Sequence, residues 1–236
     1  MATELYLVRH GEAVANVEPV IGGMRGDAGL TDRGRDQARL LQERLQEQRM
    51  HVDRLVSSTL PRALQTAEYV ARALGLSVLR DDELHELRPG EADGLTVEQW
   101  RARYRGGEEP AGPRDPYRVF SPGGESWATF LARAGGALSR LVARHRDETV
   151  VAVCHAGVVE ASFALAFGLG ASANRVDCAP LNTSLTHWRH RLSSAGEPEW
   201  TLVSFNDASH LVGSALPATP PHDAVPLPGE DSAADA

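Results

Sequence analysis

Four short apolar-rich runs, at 4–8, 52–56 (broken by Asp53 and Arg54), 76–79 and 149–154, alternate with helical patterns, and this alternation most limits what the chain can fold into. A strand that is apolar on both sides of its pleat has no face to give to water, so its sheet must be covered on both sides. The stretch LTDRGRDQARLLQERLQEQ offers Thr31 as an N-cap, with Ala38, Leu41 and Leu45 at helix spacing. LPRALQTAEYVARALG carries a proline in its first turn and stops at Gly75, as helices prefer. ESWATFLARAGGALSRLVARHRD resumes helix, and SLTHWRHRL with EWTLVSFND read as a final strand pair. The pattern predicts an α/β fold: a parallel-rich sheet with helices on both faces.

Two segments depart from the alternation. Residues 86–125 hold seven glycines, prolines and clustered arginines around a helical patch near 96–105, and they read as a lid-like insertion over the sheet rather than a second domain. From Ser214 to Ala236 proline, alanine and acids dominate, which describes a tail without a core of its own. The expected organisation is therefore one domain over 1–213 and a tail over 214–236.

The net charge of −8 belongs mostly to the C-terminal end, because no basic residue follows Arg191 while seven acids do. What precedes is almost neutral, with 24 basic residues against 25 acidic ones. No basic stripe is present, which argues against nucleic acid as a partner. No apolar run is long enough to span a bilayer, and MATELYLVRH lacks the pattern of a signal peptide. With only Cys154 and Cys178, a disulfide framework is not expected and a cytoplasmic location is the default. All 24 basic residues are arginine. This excludes a P-loop lysine, a lysine Schiff base and a lysine general base, so any phosphate chemistry falls to arginine forks, histidines and backbone amides.

The first strand ends on Arg9-His10-Gly11-Glu12, followed by Asn16. A cation and an imidazole at the rim of a sheet are costly unless an anion meets them. The second strand ends in VSSTLPRALQTA, placing Ser57, Ser58 and Arg62 at a strand end and a helix start; ELHELRPGEADGL puts Glu86 in the loop after the third; VVAVCHAGVV ends the fourth at His155. In an open α/β sheet the carboxyl ends of the strands form one edge where ligands bind. Two histidines, two arginines and a glutamate thus converge there, and the helix N-termini behind Arg62 and His155 add positive dipole ends.

LVRHGEAVAN, SSTLPRALQTA, ELRPGEADGL, PGGES and VCHAGVV, in that order, resemble the histidine phosphatase superfamily with its phosphoglycerate-mutase-like fold; the resemblance covers roughly residues 4–212. It implies a three-layer α/β/α fold with a mixed, mostly parallel sheet of about six strands, catalysis through a phosphohistidine, and no metal or other cofactor. His10 matches the nucleophile; Arg9, Arg62 and His155 match the phosphate pocket; Asn16 matches a polar residue beside it; Glu86 matches the proton donor. Ala13 stands where the family often has threonine, and Pro89 and Ala92 replace aromatics.

The chemistry of the residues agrees with that implication. Arg9 and Arg62 each fork two oxygens of a phosphomonoester dianion, and a protonated His155 donates to a third. His10 must be neutral, with its other ring nitrogen expected on a backbone carbonyl and its pKa depressed by the two cations. Glu86 gives the leaving oxygen a proton and then serves as base for water; Gly90 and Gly94 keep the family's spacing from Glu86, which its neighbours Glu83 and His85 fit less well. PGGES and the absence of lysine favour a phosphatase acting on a small phosphorylated metabolite over a mutase. Arg101, Arg103, Arg105, Arg114 and Arg118 are candidates to clamp a second anionic group of the substrate. A catalytically silent phosphate-binding module is the alternative from another class, and the intact set His10, Arg9, Arg62, Glu86 and His155 argues against it.

Overall fold

The computed structural model describes residues 2–104, 115–171 and 178–214. Six strands form one sheet: β1 (Thr3–Arg9), β2 (Arg54–Ser57), β3 (Val78–Arg80), β4 (Thr149–Cys154), β5 (Leu185–Leu192) and β6 (Pro198–Asp207). Their order across the sheet is β3-β2-β4-β1-β5-β6. β1 pairs parallel with β4, and β2 pairs parallel with both β4 and β3, whereas β5 runs antiparallel to β1 and β6 antiparallel to β5. The sheet is mixed and mostly parallel, as expected.

Alternation along the strands sends successive side chains to opposite faces. Leu5 and Leu7 of β1 join Val150, Ala152 and Cys154 of β4 in one core cluster, with Phe130, Ala134, Leu138, Val158 and Val159. Val8, Val151 and Val153 pack on the other face with Leu41, Leu45, Ala63, Ala67 and Val70. The helices covering the sheet are α2 (Asp32–Gln48) and α3 (Pro61–Leu74) on one side, α5 (Trp127–Arg144) and α6 (Ala156–Phe167) on the other; α1 (Val14–Val17) and α4 (Val97–Tyr104) are shorter. Thr31 caps α2 by accepting from the Gly34 amide at 2.9 Å, and α3 ends at Gly75 in a left-handed conformation, both as the sequence predicts.

β1 leads through the short α1 to α2, and β4 is followed by α6, on opposite faces of the sheet, although the two strands are neighbours. A crevice therefore opens at their carboxyl ends. His10 follows β1 directly, and its amide extends the parallel pairing by donating to the Cys154 carbonyl at 3.0 Å. His155 follows β4 and occupies the N-cap of α6.

The insertion over 86–125 is fastened to the body. Leu87, Ala92, Trp100 and Phe120 are buried in the same cluster as β1 and β4, and the Trp100 and Phe120 rings stack at 4.5 Å. Ser121 ties its two ends, donating to the Pro89 carbonyl and accepting from the Ala92 amide. Arg105, Arg114 and the tail beyond Ser214 lie outside the described residues. Among the described residues no helix is long and apolar enough to cross a membrane.

Candidate active site

His10 is buried, and both of its ring nitrogens have partners that define its tautomer. Nδ1 lies 2.7 Å from the Gly11 carbonyl, which can only accept, so Nδ1 carries the proton. Nε2 receives the Nε–H of Arg62 at 3.1 Å, so it holds the lone pair. Burial is the main cause that pushes its pKa well below 6.5, followed by the charges of Arg62 and Arg9. The expected carbonyl partner is thus present, but desolvation outweighs the two cations as the reason the ring is neutral.

Its backbone is clamped from both sides. The Gly11 amide donates to Thr66 Oγ1 at 3.0 Å, the Asn182 side-chain amide donates to the His10 carbonyl at 3.0 Å, and the Thr183 amide donates to the Arg9 carbonyl at 2.9 Å. Arg9 is fully buried and Nη1 donates to the Pro180 carbonyl.

Arg62 enters from the first turn of α3. Its Nη1 donates to Asp27 Oδ2 at 2.8 Å and to the Gly22 carbonyl at 2.9 Å, which leaves Nε aimed at His10. The Asp27 carboxylate is completely buried, and its other oxygen accepts the Gly29 amide. His155 stands across the crevice, its ring centroid 5.2 Å from that of His10, with Nε2 on Ser58 Oγ at 2.8 Å. The expectation of a protonated His155 is not met in this structure: burial, then Arg62 and the other histidines, push its pKa well below 6.5. A neutral imidazole still donates one N–H to an oxyanion.

Glu86 is half-buried, and both carboxylate oxygens accept backbone amides, Oε1 from Leu87 and Oε2 from Gly157, each at 2.9 Å. Gly157 lies in the first turn of α6, two residues beyond His155, so the carboxylate rests on that helix N-terminus. Of its two rivals, Glu83 pairs with the half-buried Arg88 and the exposed Arg140. His85 sits against Thr59, its pKa lowered to about 4 by burial, then by Arg88 and Arg133. Asn16 uses Oδ1 to accept the Ala13 amide at 2.7 Å, so this oxygen serves its own turn. Arg101, Arg103 and Arg118 are exposed, and Arg103 pairs with Glu91.

Sequence reasoning assigned no role to Asp27, Thr66, Pro180, Asn182 or Arg133, which hold the site's backbone or its cations, Arg133 by donating to the Glu86 carbonyl. Among the described residues no group of three or more His, Cys, Asp or Glu side chains could hold a metal ion.

The model of the histidine phosphatase superfamily (branch 1) matches residues 5–208. The chain is 35% identical over 218 residues to phosphoglycerate mutase-like protein 4 of Arabidopsis thaliana, covering 88% of this chain and 86% of that protein. It is 34% identical over 178 residues to phosphoserine phosphatase 1 of Hydrogenobacter thermophilus, covering 72% and 78%. Among solved structures, mycobacterial glucosyl-3-phosphoglycerate phosphatase in complex with VO3 matches with a TM-score of 0.69 at 30% identity, covering 86% of this chain and 98% of that one. With motif order, sheet topology and site geometry in agreement, the chain belongs to the histidine phosphatase superfamily.

Proposed function

We propose that the chain is a metal-independent phosphatase that hydrolyses small phosphomonoesters through a phosphohistidine on His10. The observation that carries this reading is the paired constraint on the His10 ring: Nδ1–H on a carbonyl at 2.7 Å, and a lone pair on Nε2 facing a guanidinium. That is the state a nitrogen nucleophile needs, and the guanidinium it faces is what the oxygens of an incoming phosphoryl group need.

A phosphoryl group entering between the two takes Arg62 onto its equatorial oxygens, with Arg9 and a neutral His155 N–H as further donors. The Nε2–phosphorus bond forms as the ester oxygen departs, and Glu86 supplies the proton that oxygen takes. Water then attacks phosphorus and gives its proton to the Glu86 carboxylate; Nε2 leaves with its lone pair, and inorganic phosphate departs.

Relatives named as phosphoserine phosphatase and glucosyl-3-phosphoglycerate phosphatase support hydrolysis of a small metabolite ester, and PGGES at 122–126 supports the same branch over a mutase. That the sequence holds only two cysteines, Cys154 and Cys178, agrees with a cytoplasmic location. The test is rapid quench with phosphate-labelled substrate, with phosphoglycerate mutase turnover assayed in parallel. Label on His10, stable in base and lost in acid, is the expected result, and His10→Ala should abolish both label and turnover. Turnover without label on His10, or group transfer between phosphoglycerates without release of phosphate, overturns the reading.

A further inference from the structure

Arg133, on the α5 turn behind the crevice, uses all five of its N–H groups. Nε donates to Glu125 Oε1 at 2.6 Å, and Nη2 to Glu125 Oε2 at 2.7 Å and the Glu86 carbonyl at 3.2 Å. Nη1 donates to the carbonyls of Glu83 at 2.6 Å and His85 at 3.0 Å. The Arg133 and Glu125 side chains are 7% and 15% exposed, so this is a nearly dry bidentate pair rather than a surface contact. Glu125 grips the same segment a second time, its Oε2 accepting the Arg88 amide at 2.9 Å and its own amide donating to the Arg88 carbonyl at 2.8 Å.

The segment 83–88 leads from a 3-10 turn at Asp82–Leu84 into the insertion, without a strand partner among the described residues. Its carbonyls have no ladder to enter, and buried carbonyls need donors. One guanidinium satisfies three of them and is itself neutralised by Glu125. Glu86 is therefore held at both ends: its carbonyl belongs to α5 through Arg133, and its carboxylate to α6 through Gly157. We infer that the Arg133–Glu125 pair is a positioning device for the proton-transfer carboxylate, setting where Glu86 stands relative to the leaving oxygen. Arg133 itself touches neither substrate nor reacting atoms. The inference rests on the reading of Glu86 as the acid.

A lysine at 133 keeps the charge but offers three donors in a tetrahedral array, which cannot hold a planar carboxylate and three carbonyls together. Misplacing a proton donor matters most when the leaving oxygen is a poor one, so leaving-group dependence separates positioning from general loss of structure. The experiment measures kcat/KM for nitrophenyl and phenyl phosphate in the wild type, Arg133→Lys, Glu86→Gln and the double variant. Arg133→Lys is expected to lose about tenfold more on phenyl than on nitrophenyl phosphate, the size of effect that a small displacement of a catalytic group brings. In the Glu86→Gln background the same change should alter that ratio by no more than about twofold, because the two act as one unit.

The ratio is taken within one preparation, so a partly unfolded fraction cancels. Glu125→Gln reads the same ratio should Arg133→Lys give no folded protein. Equal losses on both esters, or an effect undiminished in the Glu86→Gln background, would show that Arg133 only holds the fold and overturn the inference. A flat ratio in Glu86→Gln itself would instead overturn the assignment of Glu86 as acid.

Discussion

The Gly157 amide donates to Glu86 Oε2 at 2.9 Å, and a Cβ built on Gly157 would lie 2.2 Å from Oε1 of the same carboxylate. Glycine is required here for close approach, not for an unusual backbone angle. Gly157→Ala must push Glu86 off the α6 N-terminus, and it also meets Phe130 Cζ at 2.9 Å. Turnover should fall by roughly 10²-fold, the lower end of what a displaced general acid costs. Stability should fall by about 1–3 kcal/mol, the usual cost of overpacking. Steady-state kinetics beside a denaturant melt checks both, and unaltered turnover would mean that Glu86 does not act from this position.

A second expectation concerns acid pH and rate. The His10 pKa is held well below 6.5, by burial first and then by Arg62 and Arg9. A lowered pKa keeps the neutral, nucleophilic ring populated as pH falls past 6.5. Once the substrate's own ionisation is divided out, kcat/KM should show no limb near the ordinary histidine value of about 6.5. Arg9→Gln removes one of the depressing charges, so its acid limb should move up toward that value. A wild-type limb already there would show that His10 is not buried and neutral as described.

Stability should respond to the same pH range with a definite sign. Burial, then Arg44, lowers the His210 pKa to about 4, partly offset by Asp207, and His85 is lowered to about 4 as well. His10 and His155 are also depressed. Each folded value lies below the unfolded one, so below about 6.5 the unfolded chain binds more protons than the folded chain. The stabilisation is fully present above about pH 6.5 and is lost as pH falls from there through about 4. His210→Gln should flatten this slope by no more than about 1.4 kcal/mol per pH unit. Urea titrations at stepped pH measure it; a slope of the opposite sign would rule out neutral buried histidines.

The proposed mechanism neutralises the phosphate with guanidinium groups and imidazole N–H, and gives no step to a metal. Hydrolysis should therefore survive excess EDTA with less than about a twofold change in rate, where a metal-dependent hydrolase loses its nucleophile. Loss of turnover on chelation, restored by Mg²⁺ or Zn²⁺, would overturn the arginine–histidine assignment.

What could be read in the sequence depended on whether a residue's role follows from periodicity. β1 and β4 were legible because Leu5–Val8 and Val150–Cys154 are apolar toward both faces, and their carboxyl ends then put His10 and His155 side by side. Arg62 was legible because a proline-led helix follows β2. Arg133 was not, since on an amphipathic helix it looks like any solvated arginine until the carbonyls of 83, 85 and 86 are seen to turn toward it. Asp27, in GGMRGDAG, looks like an ordinary loop acid. Asn16 matched the family's pattern, but whether its oxygen faces a ligand or its own turn depends on a side-chain rotation that no spacing encodes. His155 was assigned a charge because burial, the largest cause of its lowered pKa, is a tertiary property.

The last prediction follows from Asp27, whose carboxylate is wholly buried against an Arg62 side chain that is 6% exposed, with Nη1 to Oδ2 at 2.8 Å. The same oxygen lies 3.3 Å from the Arg62 amide, so Asp27 also anchors the first turn of α3. Removing one member of a buried pair leaves an uncompensated charge, which typically costs about 3–5 kcal/mol. Asp27→Ala should lose about that much, because the Gly22 carbonyl and the His10 lone pair cannot neutralise the guanidinium alone. Arg62→Gln strands the carboxylate in the same way. The double variant contains neither stranded charge, so its loss should fall short of the sum of the single losses by about 2 kcal/mol or more. Urea denaturation of the four proteins measures this coupling. Strict additivity would mean that the two charges are solvated independently, and that Arg62 is aimed at His10 by the helix alone.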